Sequence, residues 1–252
     1  GGNVELVYDN SVRTGINMLE GTRFKIGALS LKGFNGSGSN FNKVYVDFRN
    51  YLKIHRQIVL ATRISYGAFF GNSEKKFLIG GMDNWLLADQ DEAAELNDVE
   101  VGSPADLFYL EYVTPLRGFN YNARSGSRHL LANAELRIPI VQYLYNGPIA
   151  SGFFRNLQLS AFADAGSAYD GANPFTGENS INTRVVGGVI SPTQRDNFDI
   201  TVINYRNPFL LGYGVGARTT LLGVYGKLDV AWGQAEENRT GPKFYVTLGY
   251  DF

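Results

Sequence analysis

Few side chains in this 252-residue chain are of a type and spacing that could do reaction chemistry. His55 and His129 are the two imidazole bases. His55 lies in a short turn, "KIHRQ", and His129 follows "ARSGSR", which carries Ser125 and Ser127. A nucleophile needs its base within hydrogen-bond reach and a third group to orient it. On an extended strand Ser127 and His129 share a face but stand roughly 6.5–7 Å apart, too far for a direct pair. The acidic run Asp89, Asp91, Glu92, Glu95, Asp98 and Glu100 lacks the spacing and the glycine of a calcium loop, and reads as a solvated loop segment. The glycines of "GYGVGAR" precede no helix, so they form no nucleotide fingerprint and read as close-packing or bending positions.

Arg117 stands apart from these. It lies in "YVTPLRGFNYN", residues 112–122, between a proline-fixed bend and Gly118, with aromatic residues on both sides. A guanidinium presents a rigid fork of donors that matches carboxylates. The elements around it must supply the acids.

Those elements are β-strands. In "KFYVTLGYDF" the positions 244, 246, 248, 250 and 252 are Phe, Val, Leu, Tyr and Phe, and polar or small residues lie between them. This strict period of two gives one apolar face and one polar face. Val44, Val46, Phe48, Leu52 and Ile54 alternate with Tyr45, Asp47, Arg49, Tyr51 and Lys53. Leu130, Ala132, Ala134, Leu136 and Ile138 alternate with Asn133, Glu135 and Arg137; Leu157, Leu159, Ala161 and Ala163 alternate with Gln158, Ser160 and Asp164. Residues 58–70, 213–221 and 224–232 repeat the pattern, and "NVELVYD", "TRFKIGA" and "KKFLIGG" are shorter candidates, about ten strands in all.

Full charges stand mid-strand on the polar face: Asp47, Arg49, Arg63, Glu135, Arg218, Lys227 and Asp229. The apolar face is small and aliphatic at mid-strand and aromatic toward the ends. Several strands run to ten residues or more, whereas strands of soluble sandwiches usually have about 5–6. Short turns such as His55-Arg56-Gln57 and Leu222-Gly223 alternate with long polar loops over residues 83–107 and 170–207. Short turns at one end and long loops at the other describe an antiparallel transmembrane β-barrel, and lipid requires such a sheet to close. Thirty glycines, about 12% of the chain against a usual ~7%, agree with many tight turns. A soluble lipocalin-like carrier is the other all-β reading; it predicts purification without detergent.

Composition bounds the rest. A net charge of -1 and a pI near 6.2 give no support for a nucleic-acid partner. The absence of cysteine rules out disulfides and thiolate metal sites and leaves the redox compartment open. No window reaches about 18 uninterrupted apolar residues, so no transmembrane helix is expected, though spanning strands need only about 9–11 alternating residues. Gly1-Gly2-Asn3 opens without a basic, then apolar, leader.

"PLRGF", then "ANAELRIPI", "LSAFADAGSAY" and "GVGARTTLLGVYGKLDVAWG", closed by a strand ending in Phe252, resembles the BamA/TamA superfamily of outer-membrane barrels. That superfamily includes β-barrel assembly and two-partner secretion proteins. The resemblance is clearest from about residue 77 onward. It implies that Arg117 sits at the tip of a loop folded back into the barrel and pairs with Glu135 and Asp164 on the inner wall. Gly118 would permit the close turn, and Phe119 would wedge the loop against the wall. Each shielded charge-assisted bond would contribute about 1.5–3 kcal/mol. The resemblance makes Phe244, Val246, Leu248, Gly249, Tyr250 and Phe252 the C-terminal insertion signal and one side of a seam between first and last strands.

Relatives commonly have 16 strands and about ten fit here, so residues 1–252 are expected to be one barrel domain from the C-terminal part of a longer protein, the alternative being a small ten-stranded barrel complete in itself. The expected function is insertion or translocation of protein or lipid-linked substrates at the bacterial outer membrane, without catalysis, cofactor or metal. The expected partners are outer-membrane lipid, a polypeptide substrate, and periplasmic or lipoprotein proteins. The alternative is a passive channel or a membrane anchor for a soluble partner.

Overall fold

The computed structural model describes residues 1–33, 40–73, 75–86, 88, 110–176, 181–188, 198–205, 207–235, 238–250 and 252. One antiparallel sheet of ten strands dominates. Its path runs β1 (Gly2–Asp9), β3 (Met18–Lys32), β4 (Asn40–His55), β5 (Ile58–Gly71), β9 (Arg128–Ile138), β10 (Gln158–Tyr169), β13 (Leu210–Leu221), β14 (Val224–Ala235) and β15 (Asn238–Leu248), with β2 (Val12–Gly15) added against β3. No ladder joins β1 to β15 among the described residues, so the sheet is not closed.

The period of two sorts the side chains inside out. Val44, Val46, Phe48, Leu52, Ile54, Ile64, Leu159, Val215, Leu228 and Phe244 are exposed on the outer face. Asn133, Glu135, Arg137, Ser160, Asp164, Arg218, Lys227 and Asp229 are buried on the inner one. A soluble protein would bury the first group, whereas a barrel in lipid exposes it. Among the described residues no helix is long and apolar enough to cross a membrane.

Between β5 and β9 the chain enters the lumen. There β6 (Phe77–Ile79) pairs in parallel with β7 (Glu111–Val113) and antiparallel with β8 (Arg124–Gly126). The candidate strand "KKFLIGG" therefore belongs to this inner sheet and not to the wall. Phe77, Leu78 and Ile79 are all buried, because both faces of β6 meet protein. Phe77, Ile79, Val113, Leu116 and Phe119 of the insert pack on Phe41, Phe69 and Leu131 of the wall. That apolar core fixes the insert.

Two other expectations change. The connection over 170–207 is not all loop, since β11 (Ile181–Gly188) and β12 (Phe198–Tyr205) pair as a hairpin. The β-branched residues in "RVV" and "ITVI" favour strand despite the polar surroundings. The alternation of the last segment also stops early: β15 ends at Leu248, and Gly249 has φ +112°, a left-handed conformation open to glycine. Parity is lost there. Tyr250 stacks on the inward-facing Tyr225 at 5.0 Å, and Phe252 packs with Met18, Tyr51, Val59 and Ala61. The connection from β9 to β10 holds two short helices, α1 (Ile140–Leu144) and α2 (Gly152–Arg155).

Candidate functional site

Arg117 is fully buried at the tip of the lumenal insert. Its Nε donates to Asp164 Oδ2 at 2.7 Å, its Nη2 to Asp164 Oδ1 at 2.9 Å, and its backbone N–H to Asp164 Oδ2 at 3.1 Å. Nη1 donates to Glu135 Oε2 at 2.7 Å and lies 3.6 Å from Asp229 Oδ2. The guanidinium carbon stands 3.4 Å from the centre of the Phe162 ring, a stacked cation–π contact. The structure thus brings together Arg117, Glu135 and Asp164. Burial opposes the charge on Arg117, but the neighbouring Asp164 and Glu135 carboxylates outweigh it and hold its pKa above the ordinary guanidinium value.

The network is larger than the three residues legible from the motifs. Arg137 Nε donates to Glu135 Oε1 at 3.0 Å, and Arg218 Nη2 donates to Glu135 Oε2 at 3.2 Å and to Asp229 Oδ2 at 3.2 Å. Arg218 Nη1 also donates to Asp229 Oδ1. Three guanidiniums (Arg117, Arg137, Arg218) face three carboxylates (Glu135, Asp164, Asp229), none more than 2% exposed. Full pairing is what makes such burial tolerable. Asn133 Nδ2 bridges Asp164 Oδ1 and the Pro115 carbonyl, each at 2.8 Å. The signal for Arg137, Arg218 and Asp229 was present in the sequence, as charges of lumenal parity on nearby strands.

The strand order explains the meeting. β9 and β10 pair so that Glu135 faces Phe162 and Asn133 faces Asp164. β10 and β13 then place Asp164 opposite Gly212. A Cβ at Gly212 would lie 1.8 Å from the Arg117 carbonyl oxygen, so a glycine is required where the loop presses on the wall. Gly118 adopts φ +92°, and a Cβ there would meet the β14 backbone at 2.6 Å. The Gly118 N–H donates to Tyr245 Oη at 2.8 Å, and that hydroxyl donates to the Phe119 carbonyl at 2.7 Å. Tyr245 on β15 thereby holds both residues after Arg117; Phe119 itself is buried in the core described above.

Of the C-terminal set, Phe244 and Leu248 are exposed on the outer face, and Val246 is half-buried between them. Gly249 donates its N–H to the Tyr225 carbonyl at 2.9 Å. Tyr250 and Phe252 line a lumenal cavity of about 710 Å³ instead of continuing the outer face. The Phe252 oxygen accepts from Arg137 Nη2 at 3.1 Å, which ties the final residue to the buried network.

The other sequence candidates lie elsewhere. His129 is within 3.1 Å of Ser65 Oγ through Nε2, not of Ser125 or Ser127, and the edge of the Phe77 ring covers it. Its Nδ1 has no partner among the described residues. Register across β5 and β9, invisible in the sequence, selects Ser65. The acidic run from Asp89 to Glu100 falls outside the described residues, and among those described no group of three potential ligands is placed to hold a metal.

A search of curated proteins finds no match for the chain. A family model, the Omp85 superfamily domain, matches residues 4–252. An inside-out antiparallel sheet with an arginine-tipped loop in its lumen, and a family match over nearly its whole length, make this chain a member of the Omp85 superfamily, whose proteins are barrels of the bacterial outer membrane.

Proposed function

We propose that the chain is the barrel of a BamA/TamA-type protein that inserts or translocates polypeptide or lipid-linked substrates at the outer membrane. It carries out no catalysis. The observation that supports this best is the burial of Arg117 between Glu135 and Asp164, which pins an insert inside the lumen. A lumen filled in this way suits a regulated path better than a static pore. The partners in this reading are outer-membrane lipid, a polypeptide substrate, and periplasmic or lipoprotein proteins. Phe244, Val246, Leu248, Gly249, Tyr250 and Phe252 serve as insertion signal and seam strand.

Planar-bilayer conductance tests the reading. The native protein should give small, flickering currents, and Arg117→Ala should give larger and steadier ones as the insert loosens. A large steady pore with Arg117 intact would instead establish the passive channel. Small currents together with full function of an attached soluble partner, and no effect on assembly of other barrels, would establish the anchor.

A further inference from the structure

The outer edge of β15 is occupied by a piece of the lumenal insert. Gly249 donates toward β14, so residues of odd number on β15 face β14 and the carbonyls of Phe244, Val246 and Leu248 face the open edge. All three accept hydrogen bonds from one short segment. Asn84 Nδ2 donates to Leu248 O at 3.2 Å, Leu86 N to Val246 O at 2.9 Å, and Trp85 Nε1 to Phe244 O at 3.2 Å. Trp85 forms an antiparallel bridge with Thr247. The segment also copies the faces of a strand. Trp85 packs inward on Tyr245 at 4.5 Å and on Tyr121 at 5.7 Å, while Leu86 is exposed, as Phe244 and Leu248 are.

The same segment is tied to the Arg117 loop. Asp83 accepts from Thr114 Oγ1, and the Met82 carbonyl accepts from Tyr121 Oη. Gly81 and Leu116 exchange backbone bonds of 3.1 and 2.9 Å. Tyr245, against which Trp85 packs, is the residue that holds Gly118 and Phe119.

We propose that residues 83–86 are a strand-mimicking strap that masks the edge of β15, so that an extended polypeptide pairs with β15 only after the strap leaves. The strap is weak enough to be displaced. It supplies one backbone donor and two side-chain donors, where a full strand would offer a continuous ladder. Its ties to the Arg117 loop make the lumenal network the element that holds it closed. The inference rests on the reading of β15 as the seam strand.

Residues 1–252 hold no cysteine, so each engineered pair supplies the only two thiols within them. The bridge of Trp85 with Thr247 puts Leu86 opposite Val246, and β14 puts Leu228 opposite Val246 on the other side. Leu86→Cys with Val246→Cys, in the full-length protein in outer membranes, should oxidise to a disulfide as completely as Leu228→Cys with Val246→Cys. A control pair that forms while the Leu86 pair does not would overturn the strap. The unaltered protein supplies a second reading, since the Leu86 amide should be protected from hydrogen exchange and free exchange there would also refute it. For the gating step, a fluorescent synthetic peptide, KFYVTLGYDF, should be retained at least tenfold better by the reduced Leu86/Val246 variant than by its oxidised form. Equal retention would sink the gate. None of these readings depends on transport, so they fail separately from the proposed function, which conductance tests.

Discussion

At the scale of single residues, the buried ion network couples loop to wall. Removing one partner of a buried pair leaves its opposite charge uncompensated, at a cost of about 3–5 kcal/mol. Arg117→Ala should therefore destabilise the barrel by an amount in that range, read as a lower urea midpoint in detergent. Arg117→Lys should recover only part of the loss, because an ammonium lacks the fork that spans Asp164 and Glu135 together. Gly212→Ala removes no charge, yet its methyl group would collide with the Arg117 carbonyl. It should expose residues 112–122 to protease as Arg117→Ala does. An intact loop in Gly212→Ala would show that the wall yields at β13.

At the scale of elements, each wall strand has one face for lipid and one for the lumen. Ile64 stands at the middle of β5 on the outer face, and its neighbour Ser65 points inward to His129. Ile64→Arg should cost about 2–4 kcal/mol in a bilayer, as for a cation on the lipid face near mid-membrane. The same substitution should be much milder in short-chain detergent, where water reaches the side chain. Equal costs in the two media would mean that Ile64 does not face lipid. The alternation that identifies these faces is readable from the chain alone. β6 was legible as a strand candidate but not as an inner strand, because a segment enclosed on both faces carries no alternation that would tell wall from lumen.

At the scale of the whole molecule, stability is graded across the sheet. β9 and β10 lie between partners on both sides and carry Glu135, Arg137 and Asp164 of the network. Among the described residues β1 pairs with β3 alone, and all eight of its residues are exposed. Among the wall strands described, hydrogen exchange in lipid nanodiscs should be slower in residues 131–137 and 159–164 than in residues 2–9. Protection of residues 2–9 equal to that of β9 would mean that a further partner covers β1.

The sequence by itself determined the strand faces and the lumenal placement of the charges, while the pairing of Arg117 with Glu135 and Asp164 was what the family resemblance implied. Side-chain parity is a local property of an extended backbone, so each strand carries its own faces in the letters. Only the tertiary structure decided which charges meet. Arg218 reaches Glu135 across 83 positions, Ser65 reaches His129 across 64, and Trp85 reaches the edge of β15 across about 160. Those distances are closed by strand register and by the fold-back of the insert, and neither leaves a periodic trace. Phe252 shows the limit of parity within a single segment. The alternation runs unbroken to Phe252 in the letters, but the positive φ of Gly249 turns the last residues inward, where Arg137 and the core around Tyr51 receive them.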